Sequence, residues 1–193
     1  PREYCNAAGQ TAARASVGHG SAVGYFCGRM LYKELGIPVG LITSNWGGST
    51  IEGWMTVDAI DATPGIDHAV AKSGTYDNSI PQRLDNGMIR PVCRFTAKGF
   101  IWYQGESNKG YHAKYPYDMA ALAANWRAAW GGSEQMPFYY VQLAPFDYDI
   151  PMHRFRGEEN PILLPLMVEA QIRALDLIPH TGLAVNTDRG DET

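Results

Sequence analysis

Hydrophobic positions fall into two periods along this chain, one helical and one too short and continuous for a helix. Val23, Phe26, Met30, Leu31 and Leu35 recur at helical spacing behind Ser21, a good N-cap. Gly36 supplies the stop and Pro38 forbids continuation, so a helix is predicted over 21–35. Residues 39–44 form a short apolar run that ends in the polar-Gly cluster Asn45-Trp46-Gly47-Gly48-Ser49-Thr50, which reads as a buried strand entering a loop. Val57–Asp61 suits a short helix, and 63–87 reads as irregular chain. A second strand is predicted over 100–103. Pro116 sits where a first helical turn accepts proline, and Met119, Leu122, Trp126 and Trp130 share one helical face closed by Gly131-Gly132. A third strand over 138–143, a helix from Pro161 through about 177 and a fourth strand over 181–187 complete the pattern. Short apolar strands alternating with amphipathic helices predict a mostly parallel sheet covered on both faces, the α/β class. Ligands bind such sheets at the carboxyl ends of the strands, where both polar-Gly loops fall.

Composition narrows this reading only a little. At 193 residues the chain suits a single domain with a full core, and 45% hydrophobic with 19% charged residues is ordinary for a globular protein. The net charge of −4, without a Lys/Arg cluster, argues against nucleic acid and anionic membrane surfaces. No apolar run reaches the length of a membrane span, and Pro1 opens no signal-peptide pattern. Aromatic residues suit sugar C–H faces and plain cores alike. The three cysteines lack metal-ligand spacing, and Cys27 reads as a small buried hydrophobe. No HxH, HExxH or CxxC pattern points to a metal.

Two loops could carry chemistry. Paired glycines in Trp46-Gly47-Gly48-Ser49 let backbone N–H groups approach a negative charge, although they suit a tight turn equally. Gln104-Gly105-Glu106-Ser107-Asn108 crowds polar groups onto the end of an apolar strand, more than a structural turn requires. Together they could supply donors to an oxyanion. Ser21 reads as a helix cap, because no strand precedes it and His19 stands two residues before it. Ser107 has no histidine beside it in sequence, and His180 lies at the opposite sheet edge. His153 and Arg154 stand in a polar loop as candidates to line a substrate mouth.

These residues resemble the sialate O-acetylesterase family, a branch of the SGNH hydrolases that also includes acetylxylan esterases. The resemblance covers about 20–191 and rests on Ser21-Ala22-Val23-Gly24-Tyr25-Phe26, the run 37–55, Asn86-Gly87-Met88-Ile89-Arg90-Pro91, Trp102 to Asn108, Asn125-Trp126-Arg127, 137–144 and Glu169-Ala170-Gln171. It implies a three-layer α/β/α, flavodoxin-like domain, of which 1–193 is the central part and incomplete. It implies deacetylation of sugars by a serine nucleophile with no metal or other cofactor. Gly48 matches the oxyanion glycine, Gln104 is the first choice for a side-chain donor and Asn108 the second, and Glu106 supports the loop. Trp46, His153 and Arg154 are expected to meet the sugar. The family's Gly-Gln-Ser-Asn-Met and Asp-x-His-Pro blocks, which supply nucleophile, acid and base, have no match here and are expected outside 1–193. The chain alone is therefore expected not to hydrolyse p-nitrophenyl acetate, and to need the missing segments or a second copy to cover its apolar surface. The partner implied is an acetylated sugar or glycan, sialic acid before xylan, at a secreted or periplasmic location (lysosomal in an animal). The alternative is a non-catalytic, carbohydrate-binding remnant of the same fold.

Overall fold

The structure, a computed structural model, describes residues 21–63, 78–145 and 162–187. The chain divides into two compact units, Pro1–Asn45 and Trp46–Thr193. In the first, helix α1 (Ala22–Leu35) begins where the Ser21 hydroxyl accepts from the Gly24 N–H at 3.1 Å. It ends at Gly36, whose φ of +65° is left-handed and whose N–H donates to the Tyr32 carbonyl. The predicted cap and stop are both present. Cys27 is half-buried rather than buried.

The strand expected over 39–44 is not formed among the described residues. An apolar run becomes a strand only when a neighbour completes its ladder, and Leu41 and Ile42 remain exposed within this unit. Leu41 instead packs against Gly28 of α1, so closely that a Cβ there would lie 3.1 Å from its methyl carbon.

The second unit is built on three parallel strands, β1 (Phe100–Trp102), β2 (Phe138–Val141) and β3 (Thr181–Ala184), in that order. Ile101 pairs with Tyr139, and Tyr139 with Gly182. Each strand is shorter than the sequence predicts. The reason is visible after β2, where the Leu143 N–H turns from the ladder to the Gln171 side chain at 2.9 Å. Helices α2 (Val57–Asp61), α3 (Tyr115–Ala129) and α4 (Leu163–Arg173) follow the expected order. α4 tightens into a 3₁₀ turn over Ala174–Asp176, while Pro161 lies outside the described residues. Within the stretch expected to be irregular, Asp85–Ile89 forms one π-helical turn, and 64–77 lies outside the described residues. No described helix is long and apolar enough to cross a membrane.

One face of the sheet carries the core. Phe100, Trp102, Phe138 and Tyr140 point to α3 and α4, while Ile101 and Tyr139, one residue out of step, are exposed within this unit. Trp126 of α3 sits between the strands, its ring 5.4 Å from those of Phe100 and Trp102 and 6.2 Å from that of Phe138. Its indole N–H donates to the Trp54 carbonyl at 3.0 Å. The neighbouring Arg127 donates to the carbonyls of Met136 and Pro179, just ahead of β2 and β3. One helix thus fixes where two strands begin.

Replacing Trp126 separates its two contributions. Trp126→Ala is expected to lower stability by about 3–5 kcal/mol through the cavity it leaves. Trp126→Phe keeps most packing but deprives a buried carbonyl of its donor, for about 1–3 kcal/mol. Urea denaturation followed by far-UV circular dichroism reads both. A Phe variant as stable as the parent would mean the indole N–H contributes nothing.

Candidate active site

The Gly47-Gly48-Ser49 turn is held from several sides. Gly48 has a φ of +69°, a conformation that a side chain disfavours. Its N–H makes no hydrogen bond to a described residue, and the residue is exposed. The peptide plane that carries this N–H also carries the Gly47 carbonyl, which accepts from Asn78 Nδ2 at 3.1 Å. A trans peptide points its N–H away from its carbonyl, so the Asn78 contact directs the Gly48 N–H to the other side. Ser49 is buried: its hydroxyl accepts from the Trp54 indole at 2.9 Å and its carbonyl from Gln104 Nε2 at 2.9 Å.

The loop after β1 therefore meets the glycine turn directly. Gln104 Nε2 donates its second hydrogen to Asn108 Oδ1 at 2.8 Å, and that oxygen also accepts from the Ile51 N–H at 3.0 Å. Gln104 Oε1 accepts from the Tyr115 hydroxyl at 2.9 Å, and the same hydroxyl lies 2.7 Å from the Gln104 carbonyl. Both N–H groups of Gln104 are thus engaged inside the protein, where the residue is 8% exposed. Asn108, 1% exposed, donates Nδ2 to Glu52 Oε2 at 3.0 Å. In this arrangement the two amides hold the turn from behind.

Behind them lies a charged cluster. Lys114 Nζ is 2.6 Å from Glu52 Oε1 and 3.1 Å from Asp118 Oδ2. The second contact is an ion pair without hydrogen-bond geometry, which leaves both Asp118 oxygens without a hydrogen-bond donor among the described residues. Burial pushes the Glu52 carboxyl up, but the Lys114 charge and the hydrogen bonds from Lys114 and Asn108 outweigh it and hold it below its usual range. Burial likewise opposes charge on Lys114, and the two carboxylates raise it above the ordinary value. For Asp118 burial wins: with Glu52 nearby and only Lys114 opposing, its carboxyl is pushed up to about 7. Two carboxylates share one ammonium, and Asp118 holds the surplus proton. Burial also raises the Tyr115 hydroxyl, far above its usual range.

Of the residues singled out by sequence, the structure brings Gln104, Asn108 and the Gly48 turn into one network. Glu106 is exposed at the head of a 3₁₀ segment (Glu106–Tyr111), and its side chain makes no hydrogen bond to a described residue. Burial and the Glu106 charge together raise the Tyr103 hydroxyl. Trp46 is 55% exposed beside the turn, and His153 and Arg154 lie outside the described residues. Ser21 caps α1, as predicted. Sequence reasoning missed Glu52, Asn78, Lys114, Tyr115 and Asp118, and named Ser49 only as part of the glycine turn. The available signal was a charge inside the apolar run Ile51-Glu52-Gly53-Trp54, and a Lys-Asp pair spaced i,i+4 at the start of α3.

The Asp118 proton has a measurable consequence. The folded protein keeps it up to about pH 7, whereas the unfolded chain releases it near 3.8. The folded state therefore binds more protons in between, so this contribution is complete below pH 3.8 and is lost as pH rises through 7. Glu52 has the opposite sign, its stabilisation being lost as pH falls below its unfolded value of 4.5. Melting temperatures of the parent and Asp118→Asn, taken from pH 4.5 to 8, should converge at the acid end and diverge as pH rises, the variant becoming relatively more stable. Parallel curves would contradict this assignment.

The family model for carbohydrate esterases of the sialic acid-specific acetylesterase type matches residues 3–190. Over 147 residues the chain is 39% identical to sialate O-acetylesterase of Homo sapiens, covering 67% of this chain and 27% of that protein. It is 32% identical over 186 residues to sialate O-acetylesterase of Rattus norvegicus, covering 72% of this chain and 34% of that one. A crystal structure of a novel carbohydrate acetylesterase from Xanthomonas citri superposes with a TM-score of 0.74 at 37% identity, covering 93% of this chain and 37% of that chain. The chain thus spans well under half the length of the proteins it matches. Its parallel α/β fold is of the SGNH-hydrolase type. Family match, sequence identity and fold agree, and the chain belongs to the sialic acid-specific acetylesterase family of carbohydrate esterases.

Proposed function

We propose that the protein carrying this chain removes acetyl groups from sugars by serine-nucleophile ester hydrolysis, and that the Gly48 turn and the 104–108 loop form the oxyanion side of its site. The observation that carries this reading is the Gly48 amide: exposed, unengaged by any described residue, and directed by the Asn78 contact on its own peptide plane. Attack on an acetyl carbonyl places negative charge on its oxygen, and a donor already aimed there stabilises the transition state without reorganising. Gln104 and Asn108 serve this donor by holding the Ser49 carbonyl and the Ile51 N–H, and Glu106 heads the 3₁₀ segment that carries Asn108. The exposed Trp46 ring offers a face for sugar C–H groups. His153 and Arg154 are the further substrate contacts in this reading, a cation there favouring the sialic acid carboxylate over acetylated xylan. A glycan substrate also implies action outside the cytoplasm.

Acetate release from O-acetylated sialic acid and from acetylated xylan tests the activity, with faster release expected from the first. Binding of either glycan without acetate release would replace the esterase reading with a binding one. In the active protein, Gln104→Ala is expected to lower kcat by about a hundredfold with KM little changed. An unchanged kcat would remove Gln104 from the site.

A further inference from the structure

We propose that Glu52 is a positioning residue for this reaction: its buried charge, held by Lys114, sets the direction of every amide and hydroxyl between it and the glycine turn. The proposal rests on the oxyanion reading of Gly48 and extends it to a residue 52 that touches no substrate.

The argument begins with symmetry. An amide side chain has a donor end and an acceptor end of nearly the same shape, so packing alone does not choose between its two orientations. A carboxylate only accepts. Glu52 Oε2 therefore requires that Asn108 turn its Nδ2 toward it, 3.0 Å away, which turns Asn108 Oδ1 to the other side. That oxygen meets two donors, the Ile51 N–H and Gln104 Nε2. With its nitrogen so placed, Gln104 donates its other hydrogen to the Ser49 carbonyl and presents Oε1 to the Tyr115 hydroxyl. The Trp102 indole stands behind that hydroxyl at 3.4 Å, again as a donor. From Trp102 through Tyr115, Gln104 and Asn108 each group donates toward Glu52, and the second Gln104 hydrogen branches off to the Ser49 carbonyl.

An Asn108 amide turned the other way would set its N–H hydrogens against the Ile51 N–H and Gln104 Nε2, donor facing donor in a buried site. Glu52 and Asn108 are 5% and 1% exposed, so water cannot easily repair that mismatch. Lys114 keeps the carboxylate ionised, its ammonium 2.6 Å from Oε1. The end of the relay is the Ser49 carbonyl, one residue after Gly48, so a reversed relay releases the turn that aims the proposed oxyanion donor.

Glu52→Gln tests this with almost no change of shape, because it removes the charge and keeps the length. In the protein that carries this chain, kcat should fall roughly ten- to a hundredfold with KM changed less than about twofold, as expected for a misaimed donor. The double variant Glu52→Gln/Lys114→Met removes both charges of that pair; melted at a pH below 7, where Asp118 keeps its proton, it should recover melting temperature without recovering kcat. A double variant that recovers kcat together with stability would overturn the proposal, since packing would then be the whole effect. Amide NMR of the protein that carries this chain provides a readout independent of hydrolysis. There, Glu52→Gln should shift the Asn108 and Gln104 side-chain amide resonances and the Gly48 backbone amide. Unmoved resonances would overturn the relay. Moved resonances with an unchanged kcat would keep the relay and defeat the oxyanion reading of Gly48.

Discussion

A carboxylate taken out of water must have its oxygens met by donors, and at Glu52 this requirement orders the surroundings of the glycine turn. One oxygen is met by the Lys114 ammonium and the other by the Asn108 amide. Neither partner is near in sequence; Lys114 lies 62 residues on and Asn108 56. The pair is therefore also a tertiary clamp, joining the 3₁₀ turn Ile51–Trp54 to the loop after β1 and the start of α3. Removing one member would strand a buried charge, the costliest way to disturb such a site. The third charge, Asp118, has no hydrogen-bond donor of its own among the described residues and keeps its proton to about pH 7.

The clamp works because α3 performs two tasks with different parts of its length. Its first turn delivers Lys114, Tyr115 and Asp118 to the polar cluster, while Met119, Leu122 and Trp126 bury themselves against the sheet. Aromatic rings from both strands and helix pack edge to face or tilted around Trp126, a geometry that favours one arrangement over sliding alternatives. Arg127 then ties the chain ahead of β2 and β3. The position of the amide loop relative to the glycine turn is thus inherited from a hydrophobic contact further along the same helix.

Much of the site was legible in the chain, but only its outward half. Gln104 and Asn108 stood out because polar residues crowd the end of an apolar run, which a structural turn does not require, whereas the glycine pair at Gly48 suited a tight turn equally. Their partners did not stand out. A lone Glu52 in an apolar run, or a Lys-Asp pair at a helix start, looks the same whether it faces solvent or another charge. What Gln104 does with its hydrogens was equally hidden, since an amide beside a strand can point outward to a ligand or inward to a carbonyl. Here it points inward, to Ser49 and Asn108.

The fold divides in the same way. Local periodicity and end signals determined α1, α2, α3 and the approximate places of β1, β2 and β3, because hydrophobic spacing, caps and proline positions act within a few residues. They also determined the α/β class, since the alternation of such elements leaves few ways to bury them. The same signals predicted a strand over 39–44 that does not form among the described residues, and strands longer than those observed. A strand exists only where a neighbour completes its hydrogen bonds, and no local pattern states who that neighbour is. Strand ends, the direction of each buried amide and the pairing of Glu52 with Lys114 were decided by tertiary structure, because each depends on groups brought together from tens of residues away.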